Sequence, residues 1–392
     1  MINFNNKPRQ GFTIKPRQGF TIKPQQGFTL VELLVGAAIG LFLVAVIISS
    51  YLSTKQTYNI TQSVSRIQED SRFAQYFIGR DLRETNNLGC LKAVRNMLPA
   101  TTNLTDLNIN VGGWEYSDTS PGDDVNLTGT YANSTTRNDW TGLNNGINQQ
   151  LPANINSISL SDSILIKKIT PIEGATVTST ADNSTINLSG YTPSIGDVLI
   201  VGNCFRADQF EVDSIAGITI TPAGGADFGA DWDENSRIFS VSHVNYHVGL
   251  RAGAESPSLY RKDSLQAQAE ELVESVESLQ ALYGLDSNDD GFANQYLSAN
   301  DVTAAQWPNI VSLRVGILYL APNGKDGNSA ALTQNYDVAD GTNFIAAVND
   351  RDLRYVVNST INTRNLGLAA KFSVCDAGDV SCDLNGFEEI TP

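Results

Sequence analysis

Residues 30–48 constrain this chain more than any other stretch. They read Leu-Val-Glu-Leu-Leu-Val-Gly-Ala-Ala-Ile-Gly-Leu-Phe-Leu-Val-Ala-Val-Ile-Ile, apolar except for Glu32. The run is about as long as a helix needs to be to cross a bilayer. The leader before it carries Lys7, Arg9, Lys15, Arg17 and Lys23, and residues 1–27 contain no Asp or Glu. Positive charge stays on the cytoplasmic side, so the sequence predicts that everything after the run is exported. A secretory signal peptide would have a shorter apolar core followed by a small-residue cleavage site. Here the expected processing site precedes the apolar run.

A carboxylate near the end of a membrane helix is costly and usually has a partner or a function. Cleavage between Gly27 and Phe28 would release a new α-amino group and make Glu32 the fifth residue of the mature chain. A neighbouring subunit's amine could then meet Glu32 in a dry environment, where opposite charges attract strongly once their desolvation is offset. Such a pair would set axial register between subunits.

Gly27-Phe28-Thr29-Leu30-Val31-Glu32 resembles the class III signal of type IV prepilins and type II secretion pseudopilins. The resemblance implies a prepilin peptidase that cuts after Gly27 and methylates the amine of Phe28. The leader repeats the motif's first half: Lys7–Ile14, Lys15–Ile22 and Lys23–Leu30 are near-copies of one eight-residue unit, which gives three Gly-Phe junctions. After Phe12 the fifth position holds Pro16, and after Phe20 it holds Pro24. Proline supplies no carboxylate and interrupts a helix. Only the third junction is expected to be productive. Three units of this length cannot build a repeat core, so the copies read as a duplication within the leader.

Beyond the run, Ile60, Val64, Ile67, Ala74 and Ile78 recur at helical spacing among charged residues, and the helix is predicted to continue to about Leu82. Asn86-Asn87-Leu88-Gly89 reads as its stop. Residues 93–156 carry the turn signals Pro121-Gly122 and Asn144-Asn145-Gly146, which predict loops and short strands. Strands are expected at Ser157–Ile169, Asp197–Ile215, Arg237–Leu250, Ile310–Ala321 and Arg354–Thr363, and a helical stretch within 265–278. The predicted fold class is α+β: a long N-terminal helix, membrane-spanning and then amphipathic, packed on an antiparallel β-sheet domain. The expected organisation is a leader (1–27), a spanning and filament-core helix (28–51), its amphipathic continuation (52–85) and an exported β-rich domain (86–392).

Later segments are Arg72-Phe73-Ala74, Arg80-Asp81-Leu82-Arg83, Gly89-Cys90 and the run from Asn203 to Phe210. Leu259-Tyr260-Arg261, Val276 to Asp286, Val311 to Val315 and Thr363-Arg364-Asn365 follow. In this order they resemble PilW-type minor pilins and narrow the resemblance to that family. The resemblance implies a type IV pilin-like fold without enzymatic activity, in the inner membrane with a periplasmic C-terminal domain and then in the extracellular pilus. Implied partners are other minor pilins, the major pilin, the prepilin peptidase, the inner-membrane assembly machinery and a tip adhesin. Implied roles are priming of pilus assembly at or near the tip, and support of twitching motility, adhesion or DNA uptake. A minor pseudopilin of a type II secretion system is the alternative, and a membrane-tethered surface enzyme a second.

Cys90, Cys204, Cys375 and Cys382 are an even number in a chain expected to be exported, which favours two disulfides. The glycine-containing segment between Cys375 and Cys382 could close a local loop and leave Cys90 to pair with Cys204. Asp286, Asn288 and Asp290, followed by Gly291, alternate like the first half of a calcium loop. Leu297 stands where an EF-hand would place its bidentate Glu, so calcium competes there with a plain acidic turn. His243 and His247, the two histidines, are too few for zinc and read as strand residues. There is no Gly-x-Ser-x-Gly elbow and no phosphate-binding Gly-x-x-x-x-Gly-Lys loop, so no catalytic residue and no cofactor beyond calcium is named. A net charge of −16 argues against a nucleic-acid-binding surface over the whole domain.

Overall fold

The computed structural model describes residues 27–85, 93–99, 110–134, 136–143, 155–179, 183–203, 206–225, 227–228, 232–325, 334–339, 341–347, 350, 352–363 and 373–376. The chain divides into two compact units, residues 1–55 and 56–392, and one helix, Leu30–Arg83, runs through the division.

In the first unit every described residue, from Gly27 to Lys55, is exposed. The helix is long and apolar enough there to cross a membrane. In the second unit the same helix becomes one-sided. Ser63, Ile67, Ser71, Ala74, Ile78 and Leu82 are buried at spacings of three and four, while Ile60 and Val64 are half-buried. Ile67, Ala74, Ile78 and Leu82 share one core with Val111, Ile164, Ile166, Val244, Tyr246, Leu279 and Leu313. Full burial of each larger aliphatic side chain contributes about 1.5–3 kcal/mol.

Those strands belong mainly to a 13-stranded sheet and a four-stranded sheet. The larger is organised on Arg237–Gly249, which pairs antiparallel with Ser163–Pro171 on one side and, on the other, with Val198–Gly202 and then Ser258–Asp263. The smaller sheet runs Gln295–Leu297, Val276–Leu285, Ile310–Lys325, Asp352–Asn362, all antiparallel. Three pairings depart from the antiparallel expectation. Ala93–Asn96 is parallel to both Ala207–Ala216 and Ser373–Asp376, and Thr342–Ala346 is parallel to Asp124–Leu127.

Each expected strand is present with shifted ends. Ser157–Ile169 begins only at Ser163, and Asp197–Ile215 is a hairpin of Val198–Gly202 and Ala207–Ala216. The expected helical stretch in 265–278 is a correction, because Glu270–Glu274 and Val276–Leu285 are strands joined at Ser275, whose φ is 60°. Glu, Gln, Ala and Leu favour helix locally, but Val276–Leu285 is buried at every position. A central strand buried on both faces loses the alternation that would reveal it.

The helix is fixed on the sheet by charge as well as by its apolar stripe. Asp81, in the last turn of the helix, is wholly buried. Its Oδ2 accepts hydrogen bonds from Arg261 Nε and Tyr246 Oη, each at 2.7 Å. Its Oδ1 faces Arg80 at 3.2 Å and Lys168 Nζ at 3.4 Å. Lys168 also reaches Glu84 at 2.8 Å. Burial alone would raise the Asp81 carboxyl, but the hydrogen bonds from Arg261 and Tyr246 and the charges of Lys168 and Arg261 outweigh it and hold the group below its ordinary value. A depressed carboxyl stabilises the fold above its unfolded pKa, and that contribution is lost as pH falls through the folded value.

Asp81→Asn strands the buried Arg261, and removal of one partner of such a pair costs about 3–5 kcal/mol. Chemical denaturation of the detergent-solubilised chain at neutral pH should show that loss. A loss below about 1 kcal/mol, the range of surface ion pairs, would mean that the network does not hold the helix.

Candidate functional site

The residues with processing and assembly chemistry lie at the start of the helix. Thr29 is the N-cap: its carbonyl accepts the first helical hydrogen bond, from the Leu33 amide at 3.1 Å. Its hydroxyl oxygen accepts from the Glu32 amide at 3.3 Å, and Glu32 Oε2 accepts from the Thr29 amide at 2.9 Å. The Thr29 hydroxyl also lies 3.0 Å from Glu32 Oε2 and donates to it. This reciprocal arrangement is a capping box, which satisfies backbone donors that a helix start otherwise leaves open.

The sequence reading gave Glu32 one task and overlooked this one. The signal is present as Thr29-x-x-Glu32 ahead of an apolar run. The box separates the three leader copies a second time, because Thr13 and Thr21 have Pro16 and Pro24 at the third position after them. Phe28 stands just before the N-cap and is 88% exposed. A cut between Gly27 and Phe28 therefore leaves the whole capping box on the mature side.

The other sites named from sequence are more ordinary in their surroundings. Asp286 is buried, and its carboxylate accepts the amides of Gly291 at 2.8 Å, Asn288 at 3.2 Å and Asp290 at 3.3 Å. Asn288 Nδ2 donates to Asp290 Oδ2 at 3.0 Å. The loop therefore directs its Asp286 oxygens at its own amides, as an Asx-type turn does. Among the described residues no three His, Cys, Asp or Glu side chains are grouped to hold a metal ion.

His243 lies beside Lys167, and burial, with the Lys167 charge adding to it, pushes its pKa down to about 4. His247 stacks on Tyr260 at 5.6 Å and is hydrogen-bonded to Asn245. Both are strand residues, as expected. Cys375 falls in the strand Ser373–Asp376, opposite Arg95 in the pairing register. Cys90, Cys204 and Cys382, and with them the expected disulfides, lie outside the described residues.

Two families match the chain. The Prokaryotic N-terminal methylation motif covers residues 22–48, and Type IV Pilus-assembly protein W covers residues 245–365. The chain thus carries a prepilin-type methylation motif at its N-terminal helix and, over residues 245–365, is similar to the PilW pilus-assembly family. The second match contains Leu259-Tyr260-Arg261, the strand Val276–Leu285, Val311 to Val315 and Thr363-Arg364-Asn365. The earlier segments assigned to the PilW likeness, Arg72 to Cys90 and Asn203 to Phe210, fall in residues 49–244, which neither family covers. No curated protein matches the chain. Among solved structures, a type IV-like pilin from Thermus thermophilus is similar over 44% of this chain and 87% of its own, at 15% identity and a TM-score of 0.18. The pilin-like assignment of this chain rests on its own long helix, its sheets and the two family matches.

Thr29→Ala removes the N-cap side chain, which typically costs about 0.5–2 kcal/mol of helix stability. Amide exchange over Leu30–Leu33 in micelles should accelerate by about 2- to 30-fold, as that cost implies. Unchanged exchange would remove the capping assignment.

Proposed function

We propose that this chain is a PilW-type minor pilin, inserted in the inner membrane, cut after Gly27, methylated at Phe28 and incorporated at or near the pilus tip. There it helps other minor pilins prime assembly with the major pilin. The observation that carries this reading is the bare apolar helix, exposed at every described residue from Gly27 to Lys55, with its one carboxylate bound in the first turn. Such a surface is stable only in lipid or against other apolar helices. The membrane serves before assembly and neighbouring subunits serve in the filament.

Further along, Tyr58, Phe73 and Tyr76 stay exposed on the helix, and Phe77 carries the Arg80 guanidinium 4.7 Å from its ring centre. These residues offer a surface to adjoining subunits. The β-rich unit then recognises partners at the tip, among them an adhesin, and supports motility, adhesion or DNA uptake without catalysis. Glu115 and Asp162 interact directly, yet both are buried and present no cleft of the kind a glycosidase needs. In the exported domain we propose the disulfides Cys90–Cys204 and Cys375–Cys382. The Asp286 loop serves as a turn that could accept calcium only after releasing its own amides.

Mass spectrometry of sheared pili and their tip complexes should find a mature N-terminus at methylated Phe28. A terminus at Phe12 or Phe20 would overturn the processing step, and recovery only with secretion-system components would favour the pseudopilin reading. Glu32→Ala should leave cleavage largely intact and reduce incorporation. Glu32→Gln separates the two tasks of this side chain, because glutamine can complete a capping box but has no charge to attract an amine. If charge sets register, Glu32→Gln should lose incorporation as fully as Glu32→Ala. Normal incorporation of Glu32→Gln would assign the requirement to capping.

A further inference from the structure

Away from the helix, two carboxyl groups are buried together where the large sheet meets the four-stranded one. Glu115 lies on the strand Val111–Tyr116, and Asp162 immediately precedes the strand Ser163–Pro171. Each is 2% exposed. Among the described residues neither belongs to an ion pair, so no Lys or Arg offsets the cost of two adjacent charges.

We propose that Glu115 is a carboxylic acid at neutral pH, shares its proton with Asp162, and through that proton latches the strand Val111–Tyr116 to the strand Val276–Leu285.

The surroundings assign the two roles. Asp162 Oδ1 accepts the Tyr116 amide at 3.0 Å and lies 3.5 Å from the Thr119 hydroxyl, and its Oδ2 accepts the Ala281 amide at 3.0 Å. One carboxylate thus bonds to a strand in each sheet; burial pushes Asp162 up to about 7, and these donors keep it below Glu115, which leaves the shared proton mainly on Glu115. The nearby Ala299 amide and Ser120 hydroxyl favour the charged form of Glu115, but burial and the Asp162 charge outweigh them, and Glu115 Oε2 is buried with no N–H or O–H directed at it. A proton on Glu115, donated towards Asp162, satisfies that oxygen and removes the like-charge repulsion. A cation would suit the site less well, because backbone N–H donors already point at both Asp162 oxygens.

The other groups that face the pair do not change this balance. Thr141 pairs with Glu115 across the strands. Tyr283, on Val276–Leu285, donates its hydroxyl to the Gly112 carbonyl at 3.1 Å. Its phenol is pushed up by burial, with the charges of Asp162 and Glu115 adding to the effect. In the adjoining loops Asp123 accepts the Ser120 amide and Asp301 accepts the Ser298 hydroxyl. Burial pushes Glu115 up to about 10, with the Asp162 charge second.

Because the folded value lies above the ordinary one of 4.5, the native state binds more protons than the unfolded chain between the two. Stability from Glu115 is therefore full below that ordinary value and declines as pH rises towards the folded one. The shared-proton state makes the joint between the sheets strongest in mild acid and weakest in alkali.

Difference infrared spectroscopy of the full chain in detergent micelles tests the latch directly. The folded protein near neutral pH should show the carbonyl stretch of a protonated carboxyl group. That band should shift when the chain carries isotope-labelled glutamate and disappear in Glu115→Gln. Denaturation across the neutral range should show the unfolding constant of the wild type rising up to about tenfold per pH unit relative to Glu115→Gln. Absence of the band, a band that ignores glutamate labelling, or equal pH slopes in the two proteins would overturn the proposal. The labelled wild type decides the matter even if the variant does not fold.

Discussion

The seating of the helix in the second unit depends on one buried charge. An apolar stripe gives a helix affinity for a sheet but defines its position along the axis poorly, because neighbouring turns present similar surfaces. Asp81 removes that freedom. A carboxylate with no exposed surface is tolerable only where Arg261, Tyr246 and Lys168 converge on it, and those residues lie on three adjacent strands. A shift of one residue would leave both the acid and Arg261 unpaired in the core. The desolvation cost that makes such pairs poor sources of net stability also makes them sensitive to position. Tyr246 contributes from the strand Arg237–Gly249, on which the larger sheet is organised.

The helix therefore carries two kinds of constraint along one continuous element. Up to Lys55 every described residue of it is exposed. From Ser63 to Leu82 it is a buried strut. Both ends are held by a carboxylate, for different reasons. Glu32 satisfies backbone amides at the N-terminus, where partial positive charge accumulates. Asp81 sits near the C-terminus, where the helix dipole opposes an acid, and persists only because cationic side chains surround it. The first can in principle exchange its partners, while the second cannot do so without opening the core.

Much of this architecture is legible in the sequence because it is periodic. The helix from Leu30 to Arg83 follows from an apolar run and then a three-and-four spacing, and the ends of Arg237–Gly249 and Asp352–Asn362 fall within two residues of the expected ones. Where periodicity vanished, the reading failed. Residues 265–278 carry helix-favouring Glu, Gln, Ala and Leu without a clear alternation, yet Glu270–Glu274 pairs with Ser258–Asp263 and Val276 opens a strand buried at every position. The Asp81 network left no local trace, since its partners are 87, 165 and 180 residues away. The Thr29 cap is different: Thr29-x-x-Glu32 is a local pattern, but the same carboxylate also fits a register role, and the pattern alone does not separate the two.

Asp81 and Glu115 are both buried acids, and their surroundings drive them in opposite directions. Cationic and phenolic donors hold Asp81 charged, so its contribution is forfeited in strong acid. Glu115 has a second carboxylate beside it and no cation, so its contribution weakens in alkali. Burial raises both, and the sign of the outcome is set by what lies within hydrogen-bonding distance. The two joints they govern, helix to sheet and sheet to sheet, are thus jointly strongest between the two limits. Exposed acids cannot produce that behaviour, however many of them contribute to a net charge of −16, because their protonation hardly differs between the folded and unfolded chain.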